Sequence, residues 1–110
     1  MNQQIKTKWV TALRSGKYNQ TRSVLKDSNG YCCLGVLCEV SKQMTGFGIA
    51  ENKKEIGKEE CLGTTITKWA ELSSRNGNVV IINGKLDNLA SHNDSFNTFL
   101  EIATAIEAQL

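Results

Sequence analysis

The chain has no proline among its 110 residues, so its tight connections rest on Gly, Asn, Asp and Ser. It has a single histidine, His92. No run of about 18 apolar residues is present to span a bilayer. The opening residues Met1-Asn2-Gln3-Gln4-Ile5-Lys6 lack the apolar region of a signal peptide. No Walker loop occurs, and no Gly-x-Gly-x-x-Gly opens a helix; Gly46-Phe47-Gly48 is too short to count. Paired C-x₂₋₄-C knuckles, which announce structural zinc, are also missing. These absences argue against membrane insertion, the named phosphate loops and a zinc finger.

What is present fits one small globular domain. Apolar residues make up 40% and charged residues 22%, inside the folded range and outside the disordered one. A chain this long has room for one modest core. Four cysteines without an export signal point to reduced thiols and a cytoplasmic setting. The formal charge of +2 is unevenly spread. Residues 1–30 carry Lys6, Lys8, Arg14, Lys17, Arg22 and Lys26 against Asp27 alone, a balance of +5; the remainder stands at −3. A basic first third on a mildly acidic body suggests one face that attracts anions.

The periodicities predict about four helices with a short antiparallel hairpin, an α+β domain covering residues 1–110. Ile5, Trp9, Ala12 and Leu13 form one helical stripe over 4–15, stopped by Gly16. Tyr18, Gln20, Arg22 and Val24 alternate as on an extended segment, and Asp27-Ser28-Asn29-Gly30 is a turn. Residues 32–44 form a helix whose broad buried face includes Cys33, Leu34, Leu37 and Cys38. Gly35 in its middle allows close approach of another backbone or of a ring, with Trp9 or Tyr31 as candidates. The glycine-rich, charged stretch 45–63 reads as a mobile loop with room for a short hairpin. Thr64 or Thr65 then caps a third helix ending near Arg75-Asn76-Gly77. Val79-Val80-Ile81-Ile82 and Lys85–Leu89 read as strands around the preferred hairpin turn Asn83-Gly84. Asp94 or Ser95 caps a last helix whose inward stripe is Phe96, Phe99, Leu100, Ala103, Ile106 and Leu110.

Catalytic and metal chemistry find little footing in this pattern. Cys33 and Cys38 are five apart on one helix and diverge by roughly 140°. Buried free cysteine is a common core residue, and nothing in the sequence pairs His92 with a thiol. Asp87, His92 and Asp94 could form an acid/base group, but helix capping accounts for Asn93-Asp94-Ser95, and His92 reads as a surface or hinge residue. No catalytic residue, metal ligand or cofactor is therefore assigned. The helix over 65–74 offers only Lys68 and Arg75 against Glu71, so specific DNA binding is not expected. The candidate ligand-binding set is Arg14, Lys17, Tyr18, Gln20, Arg22 and Tyr31, with Lys26 beside them: cations for an anion, aromatics for a base and an amide for polar readout.

Trp9-Val10-x-Ala12-Leu13-Arg14-Ser15-Gly16-x-Tyr18-x-Gln20, then Tyr31-Cys32-Cys33-Leu34-Gly35-Val36-Leu37-Cys38, and finally Leu89-Ala90 with Asn93-Asp94-Ser95-Phe96 resemble an uncharacterised family of small proteins from tailed phages and prophages. The resemblance runs from Trp9 to Glu107, loosely at Trp69-Ala70-x-Leu72 and not at all over 45–63. His92 stands where that pattern usually has leucine. The resemblance implies a setting rather than a reaction: a phage-encoded accessory protein acting in the bacterial cytoplasm against host defence. With the charge distribution, it gives the expectation of a non-enzymatic protein that sequesters a small anionic nucleotide signal. The alternatives are a protein-binding inhibitor of a host factor and a small structural or assembly protein of the phage. A small domain has little room for a deep pocket as well as a core, so a homo-oligomer is expected.

Overall fold

Apolar side chains at helical spacing bring one helix to the middle of the molecule. In the computed structural model, which describes all 110 residues, α1 (Gln3–Arg14) begins where the Asn2 side chain accepts a hydrogen bond from the Ile5 amide at 3.0 Å. Its buried stripe of Ile5, Trp9, Val10 and Leu13 packs between α2 (Cys33–Thr45) and α6 (Phe99–Gln109). The other helices are α3 (Ile49–Ile56), α4 (Thr64–Trp69) and α5 (Leu89–Asp94). Two antiparallel hairpins complete the α+β domain: β1 (Lys26–Asp27) with β2 (Gly30–Tyr31), and β3 (Val79–Ile82) with β4 (Lys85–Asn88). The radius of gyration is 12.3 Å, close to the roughly 13 Å of a single compact body near this length. No helix is long and apolar enough to cross a membrane.

Both hairpins follow their turn residues. Asn83 and Gly84 adopt φ of 53° and 80°, and the register pairs Ile82 with Lys85 and Val80 with Asp87. Alternation along β3 buries Val80 and Ile82 and leaves Val79 and Ile81 outside. At the first hairpin, Asp27 Oδ1 accepts from the Asn29 and Gly30 amides while Oδ2 accepts from the Thr21 hydroxyl. The segment before it is less regular than expected. Only Gln20 forms a single parallel bridge, to Tyr31.

Six helices replace the four expected. The 45–63 stretch carries α3 rather than a hairpin. Gly48 opens α3 and Gly57 closes it, and the Glu51 side chain turns back to the Gly48 amide at 2.8 Å. The third expected helix is shorter, entered through Gly63 rather than a threonine cap and ended at Trp69, with Glu71 left-handed at φ 59°. The last helix starts later than expected, at Phe99, and an additional short helix, α5, precedes it. Asn88 caps α5, and Thr98 with Glu101 forms a capping box on α6. Asp94 and Ser95 thus close a helix instead of opening one. Phe96 lies in the turn between them at φ 69°, which throws its ring outward to 75% exposure, and Leu100 also faces out.

The amino end of α2 is where the chain is tied together. Asn93 is fully buried: its Oδ1 accepts from the Cys33 amide (3.1 Å) and from Gln20 Nε2 (2.9 Å), and its Nδ2 donates to the Thr21 carbonyl (2.8 Å). Trp9 Nε1 donates to the Cys33 carbonyl at 2.9 Å, and the Cys33 thiol to the Leu89 carbonyl at 3.6 Å. Cys32 serves as N-cap, its sulfur accepting from the Gly35 amide. The close neighbour of Gly35 is backbone and not a ring: a Cβ there would overlap the Leu25 carbonyl oxygen.

Replacing Gly35 by Ala should therefore destabilise the domain by about 3 kcal/mol or more, because backbone must move. Asn93→Ala strands buried backbone groups and should cost roughly 2–4 kcal/mol. Urea unfolding followed by tryptophan fluorescence measures both, and a loss below about 1 kcal/mol for Asn93→Ala would contradict its tying role.

Candidate anion-binding face

The polar face of α1 carries the cations. Thr7, Lys8, Thr11 and Ser15 point outward along it, and the chain continues past Gly16 into Lys17 and Tyr18. Packing of α1 against α2 brings Val40 and Gln43 opposite, so that a groove of about 430 Å³ lies between the two helices. Its lining holds two lysines, three hydroxyl residues, an amide and the Tyr18 ring, and no carboxylate. A smaller hollow of about 140 Å³ lies on the other side of the Thr7–Thr11 ridge, between Lys6, Val10, Arg14 and Glu107.

The six expected residues separate. Lys17 and Tyr18 line the groove. Tyr31 backs it, its ring meeting that of Tyr18 edge-on with centroids 5.1 Å apart, and Lys26 Nζ lies 5.1 Å from the Tyr31 ring centre. Arg14 borders the smaller hollow and is already engaged by Glu107 through contacts of 2.9 and 3.3 Å. That hydrogen bond and the opposite charge hold the Glu107 carboxyl below its ordinary range. Gln20 turns inward to Asn93 and to the Asn97 carbonyl, so its amide works for the fold. Arg22 leans onto Phe96, its guanidinium carbon 4.3 Å from the ring centre, beside the turn after α5. The sequence reading missed Lys8, Thr7, Thr11, Ser15 and Gln43 as lining groups. The i, i+4, i+8 spacing of Thr7, Thr11 and Ser15 was a legible sign of one helix face. Gln43 was not legible, because only helix packing brings it across.

The groups that carry catalysis elsewhere are held for packing. Cys32, Cys33 and Cys38 are buried and unpaired; burial pushes the Cys32 thiol up to about 11 and raises Cys33 and Cys38 as well. His92 is not the surface or hinge residue expected: it is 1% exposed, with Nε2 2.8 Å from the Val80 carbonyl oxygen. That carbonyl only accepts, which puts the ring proton on Nε2 and leaves Nδ1 toward the Asn97 amide at 3.4 Å. Asp94 instead accepts from the Ser23 amide, and Asp87 from the Asn88 amide. No three His, Cys, Asp or Glu side chains gather in a metal-holding group, so Asp87, His92 and Asp94 do not form one.

The family described as a domain of unknown function, DUF8296, matches residues 1–110. The chain belongs to that family. No curated protein and no solved structure matches it. In this DUF8296 domain, the site is therefore defined by its own geometry: an acid-free, hydroxyl-lined cationic groove.

The division between packed thiols and the outer face has a direct readout. With a thiol-specific chromogenic reagent at neutral pH, the half-buried Cys61 should react first in the native protein. Cys32, Cys33 and Cys38 should become reactive only on unfolding. Rapid native labelling of Cys33 or Cys38 would refute that arrangement.

Proposed function

We infer that this chain is a binding protein that sequesters a small anionic nucleotide in the groove between α1 and α2. One observation carries the reading: the groove lining combines Lys8 and Lys17 with the hydroxyls of Thr7, Thr11 and Ser15, and it contains no acidic side chain. Ammonium groups supply charge to phosphate oxygens, and hydroxyls supply neutral donors. Tyr18, buttressed by Tyr31, offers a flank for a base. A volume of about 430 Å³ falls within the size of small-molecule sites. Binding is favoured over catalysis because the thiols and the imidazole are interior and engaged. The resemblance to small proteins of tailed phages supplies the setting, in which removal of a host defence signal from the bacterial cytoplasm is the corresponding role.

Isothermal titration against cyclic di- and trinucleotides and ADP-ribose derivatives tests the reading. At least one ligand should release heat with affinity that falls as salt is raised. Lys8→Ala and Lys17→Ala should each weaken it by about tenfold, the loss of one charge-assisted contact. Arg14→Ala should do less, since Arg14 is committed to Glu107, and Lys54→Ala should do nothing. Absence of heat across the panel with folded protein, or equal effects of Lys17→Ala and Lys54→Ala, would overturn the site.

A further inference from the structure

Six large apolar side chains are substantially exposed, and all but Met44 come from residues 79–100. The β3–β4 register sets Val79, Ile81 and Leu86 on the outer face of the hairpin. Ile81 and Leu100 wall a groove of about 420 Å³ between β3 and α6, continued by Ala105 and Ala108. At the hairpin tip, Asn83 reaches Asn97 at 3.4 Å, next to the protruding Phe96 ring. Soluble monomers seldom leave so many large apolar groups together in water.

Backbone conformation sharpens the point. Ser23 and Phe96 both sit in the left-handed region, at φ 71° and 69°, although neither is glycine. Ser23 follows Arg22 and Phe96 carries the ring that Arg22 covers, and the Ser23 amide bonded to Asp94 Oδ1 at 2.9 Å locks the two segments together. Such conformations cost about 1 kcal/mol or more each. Here that strain holds a phenyl ring out in solvent with a guanidinium on one face.

Two further observations bear on what meets the face. The outer edge of β3 is closed at Ile81, whose amide donates to Gln109 Oε1 and whose carbonyl accepts from Gln109 Nε2, both at 2.8 Å. An added strand finds no free donor–acceptor pair on the β3 edge at Ile81. The charges around it are self-complementary. Arg22 has no ion-pair partner, and its Nε is buried without a hydrogen bond. Glu101 is bonded by Asn83 and Thr98 but by no cation. The surface thus carries an apolar knob, an apolar groove, an unmatched cation and an unmatched anion. A second copy carries the complement of each feature by construction, which is what an isologous contact requires.

We propose that this chain forms a two-fold homodimer across the β3–β4 and α6 face, with Phe96 of each copy against the apolar groove of the other, the outer hairpin faces buried between them, and Arg22 reaching Glu101 of the partner copy. Sedimentation equilibrium of the full chain over a dilution series is the test, with far-UV circular dichroism to show that each variant folds. The wild type should be dimeric. Arg22→Glu and Glu101→Arg should each weaken the dimer at least about tenfold, because like charges then meet twice. An equimolar mixture of the two variants should dimerise again, since the mixed pair has one original and one reversed ion pair. Leu86→Lys, at an exposed position that makes no helix cap, should weaken the dimer without altering the fold. A monomeric wild type, a dimer indifferent to Leu86→Lys and to both charge reversals, or a mixture that stays monomeric would overturn the proposal. The nucleotide titration is independent of this result, because the groove between α1 and α2 lies in a separate part of the fold.

Discussion

The Asn93 carboxamide holds three segments at the amino end of α2: the α2 backbone at Cys33, the 20–21 stretch and its own helix α5. In a buried setting each of those bonds is costly to lose, because no water takes the place of the missing partner. Trp9 joins from α1 by donating to the Cys33 carbonyl, so one residue of α2 has both backbone groups claimed by distant side chains. The packing of α1 against α2, and with it the cationic groove, follows from this junction.

The segments that carry the family-like pattern meet there. Trp9, Gln20, Cys32, Cys33, Gly35 and Asn93 each have a definable task in or beside the junction. Cys32 caps the helix through sulfur, Cys33 fills the core and bonds Leu89, and Gly35 admits the Leu25 carbonyl. A sequence block that invites thoughts of thiol chemistry is thus accounted for by packing.

Much of the fold was legible because it rests on local signals. The stripe of α1, the apolar block of α2 and the Asn83-Gly84 turn are stated by neighbours in the chain. The glycines of 45–63 misled for a physical reason. Gly46, Gly48, Gly57 and Gly63 all stand at helix ends, where glycine is favoured, so their density marks punctuation of short helices rather than their absence. The break at Ser95–Asn97 escaped because Asn93-Asp94-Ser95 satisfies the composition of a helix start, while Asn88 and Thr98 do the capping. Of the site, Lys17 and Tyr18 were readable from charge and aromatic spacing. The commitment of Gln20 to Asn93, of Arg14 to Glu107 and of Arg22 to Phe96 was not, since each partner lies more than 70 residues away in the chain.

Lys8, Lys17 and Gln43 line the groove without lending their side chains to any internal hydrogen bond or ion pair, whereas the junction beneath them has scarcely a spare donor. Substitution at these three positions therefore leaves the scaffold's internal bonding untouched. They are free to drift, whereas Asn93 and Gly35 are closed to change.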